Sequence, residues 1–389
     1  MNSPRRGFAE SEYRTRLSNA QTALAQADLD ALLLTTHSDI YYFTGYLTRF
    51  WESPTRPWFL IVPQSGAPTA VIPSIGAPLM ASTWVDDIRT WTAPAPQDDG
   101  VSLLASTLTE ILGKGRVGVP DGHETQLRMP LSDFYQLKSL LTDILIVGDC
   151  DIVRELRMIK SDAEVAKISH ACTIASRAFD RVREIVEPGA TLEQIFRHFQ
   201  MLGLEEGADW VPYLAGGAGP DGYRDVISPA TAQVLKEGEV LMLDTGLVWD
   251  GYFCDFDRNF SIGTPAAHVT SAYSMLIEAT EAGFEAARPG NRVWDVFTAM
   301  TSRLPRPDND STSGRLGHGL GIQLTEKPSL LSTDATLLRP GMVLTLEPSV
   351  STCAGHMLVH EENVVVTETG ARYLSDLAPP KMVNILAER

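Results

Sequence analysis

Residues 241–263 read LMLDTGLVWDGYFCDFDRNFSIG, two extended apolar segments separated by the dipeptide Asp250-Gly251. Asp-Gly between alternating apolar runs is a strong signal for a hairpin turn, so the stretch predicts a β-hairpin. Its arms bring together Asp244 and Asp255, which are eleven residues apart in the chain. Adjacent carboxylates repel unless they share a proton or bind a cation. We therefore predict a metal site on this hairpin; exposed turn acids are the alternative interpretation.

Three more residues of the C-terminal half have side chains that can bind a metal. His318 lies between Gly317 and Gly319, and glycines allow a ligand or another backbone to approach closely. Glu347 and Glu361 each lie in an otherwise apolar strand. A lone carboxylate there is strongly destabilised by desolvation unless it is paired or bound to metal. A structural salt bridge to Arg or Lys is the alternative for each glutamate.

Together these residues form a set of two Asp, one His and two Glu. Carboxylate oxygens with one imidazole suit two divalent ions of the Mn, Co, Zn or Fe kind better than a structural zinc. Five ligands for two ions imply bridging carboxylates. Such a pair of ions typically binds a hydroxide between them, and its lowered pKa lets it attack a carbonyl carbon at neutral pH. The pattern therefore predicts a hydrolytic centre.

The rest of the chain predicts two α/β domains, which its 389 residues are enough to form. In the N-terminal part, a helical pattern precedes apolar, strand-like segments at 31–36, 41–46, 57–63 and 69–73. Ser161 and Glu164 form a capping box before a long helix, and Thr191 and Gln194 form another. We place the domains at 1–154 and 155–389. In the second, two helices precede strands twice, which predicts duplicated halves.

Charge and composition exclude several classes of protein. The chain has 32 Lys and Arg against 49 Asp and Glu, a formal charge of -17, which disfavours binding to nucleic acid or to anionic membranes. Its apolar runs are shorter than the roughly 18 residues of a membrane span, and its start lacks the apolar core of a secretory signal. We expect a cytoplasmic protein without nucleic-acid or membrane partners.

The order and surroundings of the candidate ligands resemble those of the M24 metallopeptidases, the pita-bread family of methionine aminopeptidase, Xaa-Pro aminopeptidase, prolidase and creatinase. Besides the hairpin, GHGLGIQLTEKPSL, LRPGMVLTLEP and VHEENVVVTETG are similar to its ligand segments. IYYFTGY and the strand ending in VP are similar to the N-terminal domain of creatinase and prolidase. The resemblance covers nearly the whole chain. It implies an α/β (α+β) protein with a creatinase/prolidase-like N-terminal domain and a C-terminal pita-bread domain.

The resemblance also implies a role for each candidate ligand. Asp244 and Asp255 would bind one metal, Asp255 and Glu361 would bridge, and His318 and Glu347 would complete the other site. Glu347 would also be the general base for the bridging water. The implied activity is that of an Xaa-Pro aminopeptidase or dipeptidase, cleaving a C–N bond in a small peptide or peptide-like substrate.

The chain departs from the family pattern at two positions. Family peptidases carry a His about seventeen residues before the first ligand Asp and another seven after the ligand His; here these positions are Ile227 and Thr325. His356 or His360 could compensate, but strand alternation turns His360 away from Glu361. Because those histidines handle the substrate amide, the alternative is a pita-bread enzyme for a non-peptide metabolite, a creatinase-like hydrolase or a lyase. A non-catalytic binding module is a third hypothesis.

The remaining candidates concern substrate binding. Thr325 takes the place of a substrate-handling His, and the loop 49–56, RFWESPTR, contains Trp51 and Arg56. In creatinase-like dimers this loop region reaches the active site of the neighbouring subunit. The resemblance therefore implies a homodimer in which Trp51 or Arg56 selects the substrate, the arginine by pairing with a carboxylate. An exposed loop without such a role is the alternative.

Overall fold

The computed structural model describes residues 3–53, 56–305, 314–353 and 355–387. The chain forms two compact units: the first runs from Arg5 to Arg157, and the second contains the chain from Met158 onwards together with residues 3 and 4. The domain boundary expected between residues 154 and 155 falls within a helix, Ile152–Met158, and stays a prediction. Throughout the described ranges, no helix combines the length and the apolar composition that crossing a membrane requires.

The first unit is organised around a mixed sheet. In chain order, its described strands are β1 (Ala31–Leu34), β2 (Phe59–Pro63), β3 (Thr69–Pro73), β4 (Asp87–Trp91), β5 (Gly115–Val119) and β6 (Ile144–Gly148). Its helices are α1 (Glu10–Gln26), α2 (His37–Thr44), α3 (Ala77–Met80), α4 (Val101–Leu112), α5 (Leu131–Leu140) and α6 (Ile152–Met158). The strand order is β4-β3-β2-β1-β5-β6. Because β1, β2 and β3 are buried along their whole length, the core lies on both faces of the sheet centre.

The segment 41–46, predicted to be strand-like, is largely helical, so that prediction was wrong. Helix α2 begins after Thr36, whose hydroxyl accepts a hydrogen bond from the backbone N–H of Asp39, and ends at Gly45 with φ 78°. A side-chain cap and a left-handed glycine are standard helix boundaries. Nearly every residue of α2 is buried, so its sequence lacks a polar face and its aromatic residues resemble those of a buried strand.

His37, at the start of α2, makes the stability of the protein depend on pH. Burial, and then the charge of Arg157, lower its pKa from 6.5 to about 4. The folded state thus favours the neutral ring, and stability that is complete above pH 6.5 declines as the pH falls towards 4. Between about pH 7 and about pH 5 we expect this residue to remove about 2 kcal/mol of stability.

Urea unfolding at the two pH values, compared between the wild type and His37→Gln, measures this contribution. The variant should lose less stability on acidification, because glutamine does not titrate. Equal losses in the two proteins would contradict the prediction.

The second unit repeats one order of elements. Its helices are α7 (Asp162–Asp180), α8 (Leu192–Glu205), α9 (Ala267–Ala286) and α10 (Val293–Thr301). Its described strands are β7 (Trp210–Gly219), β8 (Val240–Trp249), β9 (Tyr252–Phe253), β10 (Phe256–Ser261), β11 (His318–Gly319), β12 (Glu326–Ser329), β13 (Val343–Leu346), β14 (Ser349–Cys353), β15 (His356–Val359), β16 (Glu362–Val366), β17 (Ala371–Tyr373) and β18 (Val383–Asn384). Both predicted capping boxes are confirmed, at the starts of α7 and α8.

Two sheets follow the two helix pairs. After α7 and α8 come β7, β8, β9 and β10, which belong to the sheet β18-β10-β8-β7 with β9 paired to β8; β18, the last described strand, joins this sheet from the second half. After α9 and α10 come those of the sheet β12-β11-β13-β16-β17 and the separate hairpin β14-β15. The predicted repetition of two helices followed by strands is therefore confirmed. Strands β8, β10, β13 and β16 are buried along their whole length, so any carboxylate on them needs a partner.

Candidate metal centre

The predicted hairpin of the first half is present and carries three carboxylates on one face. Its turn residues Asp250 and Gly251 have φ of 49° and 80°, as a type I′ turn requires. Strands β8 and β10 are antiparallel, with Asp257 directly opposite Asp244. Residues two apart on a strand share a face. Asp255 therefore faces the same side as Asp257 and Asp244.

The hairpin turn is fixed to helix α7 by two buried polar contacts. The ammonium of Lys167 forms an ion pair with the carboxylate of Asp250, and both side chains are almost fully buried. The hydroxyl of Tyr252 donates to Glu164 Oε1 at 2.9 Å, while the other oxygen of Glu164 accepts the backbone N–H of Ser161 in the capping box of α7. These contacts hold the arms of the hairpin in place relative to the helix.

The second half presents its two glutamates from neighbouring strands. Strands β13 and β16 are antiparallel, and Leu346 pairs with Glu362. Continuing this register by one residue places Glu347, which follows β13, opposite Glu361, which precedes β16. Each half thus brings carboxylates into apposition across a pair of antiparallel strands.

His318 is oriented by its own backbone. Its Nδ1 lies 2.9 Å from the carbonyl oxygen of Gly319, so we assign the ring proton to Nδ1 and the lone pair to Nε2. Nε2 lies 3.4 Å from Asp255 Oδ2. A Cβ added to Gly317 or Gly319 would overlap a carbonyl oxygen of a neighbouring strand segment. The flanking glycines thus permit the close backbone approach that puts His318 beside the hairpin.

Asp255, His318 and Glu361 form a buried group in which one ligand atom of each lies within 4.8 Å of the others. Within the described part of the chain, Asp244 Oδ1 and Glu361 Oε1 are buried and have no hydrogen-bond partner. Buried carboxylate oxygens are strongly disfavoured unless a donor or a cation satisfies them. The donor set of carboxylates and one neutral imidazole fits divalent Mn, Co, Zn or Fe.

The carboxylates of the group destabilise one another's charged forms. Burial, and then repulsion from neighbouring carboxylates, raise the pKa values of Asp244, Asp255 and Glu361 well above the usual range of a carboxyl group. Burial and then Asp257 raise the pKa of Glu347 to about 7. A bound cation would relieve this repulsion, which is the electrostatic signature of a metal site.

Arg315 is the cation beside this group. Burial, and then Arg315, lower the pKa of His318 to about 4, which leaves the ring neutral and able to bind a metal. Arg315 Nη2 donates to Thr325 Oγ1 at 3.3 Å. Thr325, one of the two positions where a family His is absent, therefore contacts a permanent cation. The other position, Ile227, has 78% of its surface exposed.

The two histidines considered as substitutes occupy different surroundings. His360 is buried, with Nδ1 3.8 Å from Asp257 Oδ1 and Nε2 3.5 Å from Glu362 Oε1. His356 lies on the hairpin of β14 and β15, with Nδ1 3.4 Å from Cys353 Sγ.

Trp51 and Arg56 belong to the first unit. The ring of Trp51 lies 5.6 Å from that of Trp58, and the Arg56 guanidinium lies 5.3 Å from the ring of Phe50. Residues 54 and 55 of this loop lie outside the described residues. The assignment of Trp51 and Arg56 to substrate binding stays a prediction.

Comparison with known proteins places this geometry in a family. Residues 166–368 match the family model for metallopeptidase family M24, and residues 16–159 match that for the creatinase/prolidase N-terminal domain. The chain belongs to metallopeptidase family M24. The M24 chain is 29% identical over 381 residues to a probable dipeptidase PepE of Mycobacterium tuberculosis, an overlap of 94% of this chain and 95% of the relative.

Solved structures agree with this assignment. The crystal structure of dipeptidase PepE from Mycobacterium ulcerans has a TM-score of 0.83 at 29% identity and covers 97% of the M24 chain and 99% of its own. Prolidase from Thermococcus sibiricus has a TM-score of 0.85 at 22% identity, and the match covers 97% of the M24 chain and 100% of the prolidase chain. This likeness concerns the fold alone. The resemblance and the fold predicted from the sequence are confirmed. The M24 chain is a hydrolase of a metal-dependent family with a creatinase-like N-terminal domain and a pita-bread domain.

Two residues that the sequence did not indicate contact the candidate ligands of the M24 chain. From β7, the hydroxyl of Tyr213 donates to Asp244 Oδ2 at 3.0 Å. From β16, Asn363 Oδ1 accepts the backbone N–H of Asp255 at 3.0 Å, and its amide donates back to the carbonyl of Asp255. An amide directly before three valines in β16 was a usable signal for Asn363. Tyr213 offered none, because its contact depends on the pairing of β7 with β8.

Tyr213→Phe is expected to weaken divalent metal binding by about tenfold or more, since groups that orient a ligand typically contribute that much. The substitution keeps the ring and removes the bond to Asp244. Calorimetric titration of chelator-treated protein with Mn²⁺ measures the effect. Tyr42→Phe is the matched control, because the Tyr42 hydroxyl donates to the carbonyl of Leu156 in the other unit. Equal affinity of Tyr213→Phe and the wild type would contradict the prediction.

Proposed function

We propose that this M24 chain hydrolyses the C–N bond of a dipeptide or peptide-like small molecule at a centre of two divalent ions. The ligands we assign are Asp244, Asp255, His318, Glu347 and Glu361. The observation that carries the proposal is the buried group of Asp255, His318 and Glu361, whose ligand atoms lie within 4.8 Å of one another. The names of two relatives, a probable dipeptidase PepE and a dipeptidase PepE of known structure, support a peptide substrate.

Bound divalent ions supply Lewis acidity and lower the pKa of coordinated water. The protein's own residues prepare the site for that chemistry. His318 presents Nε2 because its Nδ1 proton is held by the carbonyl of Gly319. Tyr213 fixes one oxygen of Asp244. Glu347 is the residue we assign as general base, because it lies opposite Glu361 in the continued register of β13 and β16, and a carboxylate beside a metal-bound water can accept its proton.

Manganese is the first ion to test, because a donor set dominated by carboxylates favours hard divalent ions. Protein treated with a chelator and reloaded separately with Mn, Co, Zn or Fe would be assayed on Xaa-Pro dipeptides, matched dipeptides without proline, and small zwitterionic amides. Glu347→Gln is the control for hydrolysis at the assigned centre. Cleavage of a dipeptide by the loaded wild type and its loss in the variant would support the proposal.

A second candidate, hydrolysis or lyase cleavage of a non-peptide metabolite, is favoured by the contact between Arg315 and Thr325. A guanidinium can bind a carboxylate, but its high pKa prevents it from protonating a departing nitrogen as a histidine does. Metal-loaded protein that cleaves zwitterionic amides and leaves every dipeptide intact would establish this alternative.

We also propose a homodimer, as in creatinase-like enzymes, with Trp51 and Arg56 selecting the substrate. Arg56→Ala should then raise KM for substrates with a free carboxylate and leave kcat unchanged. Sedimentation equilibrium gives the oligomeric state. A monomer, or an unchanged KM, would contradict this part of the proposal.

A further inference from the structure

Asp257 is a carboxylate of the hairpin that the assigned ligand set does not include. It lies directly opposite Asp244 in the register of β8 and β10 and has 1% of its surface exposed. Directly opposed residues of antiparallel strands have Cβ atoms about 5 Å apart. Asp257 thus faces the same side as Asp244 and Asp255.

The two oxygens of Asp257 have different surroundings. Oδ1 accepts a hydrogen bond from Asn259 Nδ2 at 3.4 Å and lies 3.8 Å from His360 Nδ1. Oδ2 is buried and has no hydrogen-bond partner among the described residues. Asp244 Oδ1 and Glu361 Oε1 share this property. One oxygen is therefore tethered, and the other is left unsatisfied in the same way as those of two assigned ligands.

Electrostatics place Asp257 in the same group. Its charge contributes to raising the pKa of Asp244, Asp255, Glu347 and Glu361. The negative charge of Asp257 repels the charges of the other carboxylates. By the same Coulomb interaction it attracts a cation bound among them. His360 lies between two carboxylates, with Nδ1 3.8 Å from Asp257 Oδ1 and Nε2 3.5 Å from Glu362 Oε1.

We propose that Asp257 is a further carboxylate of the metal centre, whose negative charge strengthens divalent cation binding, while the Asn259 amide holds one of its oxygens in place. The inference rests on the metal centre of the proposed function and is independent of the substrate. It predicts that removing the charge of Asp257 weakens ion binding even though the five assigned ligands remain.

The test is calorimetric titration of chelator-treated, full-length protein with MnCl₂. Asp257→Asn, which keeps the shape and removes the charge, should bind Mn²⁺ about tenfold or more weakly than the wild type. Asp149→Asn is the matched control: Asp149 also has 1% of its surface exposed, lies in the other unit and accepts backbone hydrogen bonds. The control should retain wild-type affinity. Asp257→Glu, which keeps the charge, should recover most of the lost affinity.

Circular dichroism of the chelator-treated variants separates a folding defect from a binding defect. If Asp257→Asn does not fold, Asp257→Ser, which leaves room for a water, takes its place in the titration. A folded neutral variant that binds Mn²⁺ within about twofold of the wild type would overturn the inference. Because the readout is ion binding, a lack of dipeptide hydrolysis would count against the proposed function and leave this inference standing.

Discussion

Glu361→Gln is expected to reduce kcat/KM by a factor of about 10³ or more, the largest effect among the substitutions considered. Glu361 belongs to the buried group with Asp255 and His318, and one of its oxygens has no hydrogen-bond partner among the described residues. An amide of the same shape supplies no charge to a divalent ion, so the variant should also retain less metal than the wild type. Elemental analysis together with the dipeptide assay measures both losses.

Glu239→Gln is the control for this experiment. Glu239 is also buried in the second unit, but its carboxylate accepts the backbone N–H of Lys236 just before β8. Its substitution should leave metal content and turnover unchanged. A folded Glu361→Gln protein that keeps both its metal and its activity would refute the assigned centre.

Arg258→Met is expected to lower the free energy of unfolding by about 3–5 kcal/mol, because it removes one partner of a buried ion pair. Arg258 Nη2 lies 2.9 Å from Glu362 Oε2, and both side chains are buried. Nη1 also donates to the carbonyl of Glu361 at 3.1 Å. The substitution leaves Glu362 charged and buried without its cation and frees the backbone next to a proposed ligand.

Urea unfolding measures this loss, and Arg181→Met provides the contrast. Arg181 pairs with Glu184, Glu205 and Glu206 on the surface, where ion pairs contribute about 1 kcal/mol or less. A loss for Arg258→Met no larger than that for Arg181→Met would show that the buried pair does not stabilise the fold.

Glu362 adds a dependence on acid. Burial raises its pKa, but Arg258, His360 and Ser375 outweigh burial and bring it to about 2. The ionised Glu362 therefore contributes its full stabilisation above 4.5, the pKa of Glu in the unfolded chain. This stabilisation is lost as the pH falls towards 2. Arg258→Met should remove most of this acid dependence.

The sequence predicted the parts of the centre that depend on local pattern. Asp250-Gly251 specifies a turn by itself, and the alternation on either side of it determines the register that brings Asp244 and Asp255 to one face. The same alternation places Asp257 beside them. It was overlooked because a second acid two residues after a candidate ligand also fits a solvated strand, and only burial separates the two cases.

Features that depend on distant pairing could not be predicted. Tyr213 reaches Asp244 because β7 lies next to β8, which no local pattern of the WVPYLAGGAG segment indicates. Helix α2 was mistaken for a strand because a helix buried on all sides has no polar stripe to reveal its period. The assigned roles of Trp51 and Arg56 depend on a neighbouring subunit and stay predictions.

The duplicated order of helices and strands has a mechanical consequence. Asp244 and Asp255 come from the first repeat, and His318, Glu347 and Glu361 come from the second, so ions bound at the proposed centre would cross-link two segments that are distant in the chain. A ligand that binds only the native state raises stability in proportion to the logarithm of its concentration. The melting temperature of this protein should therefore rise with the concentration of free divalent ion. It would report how fully the metal centre is occupied before any substrate is known.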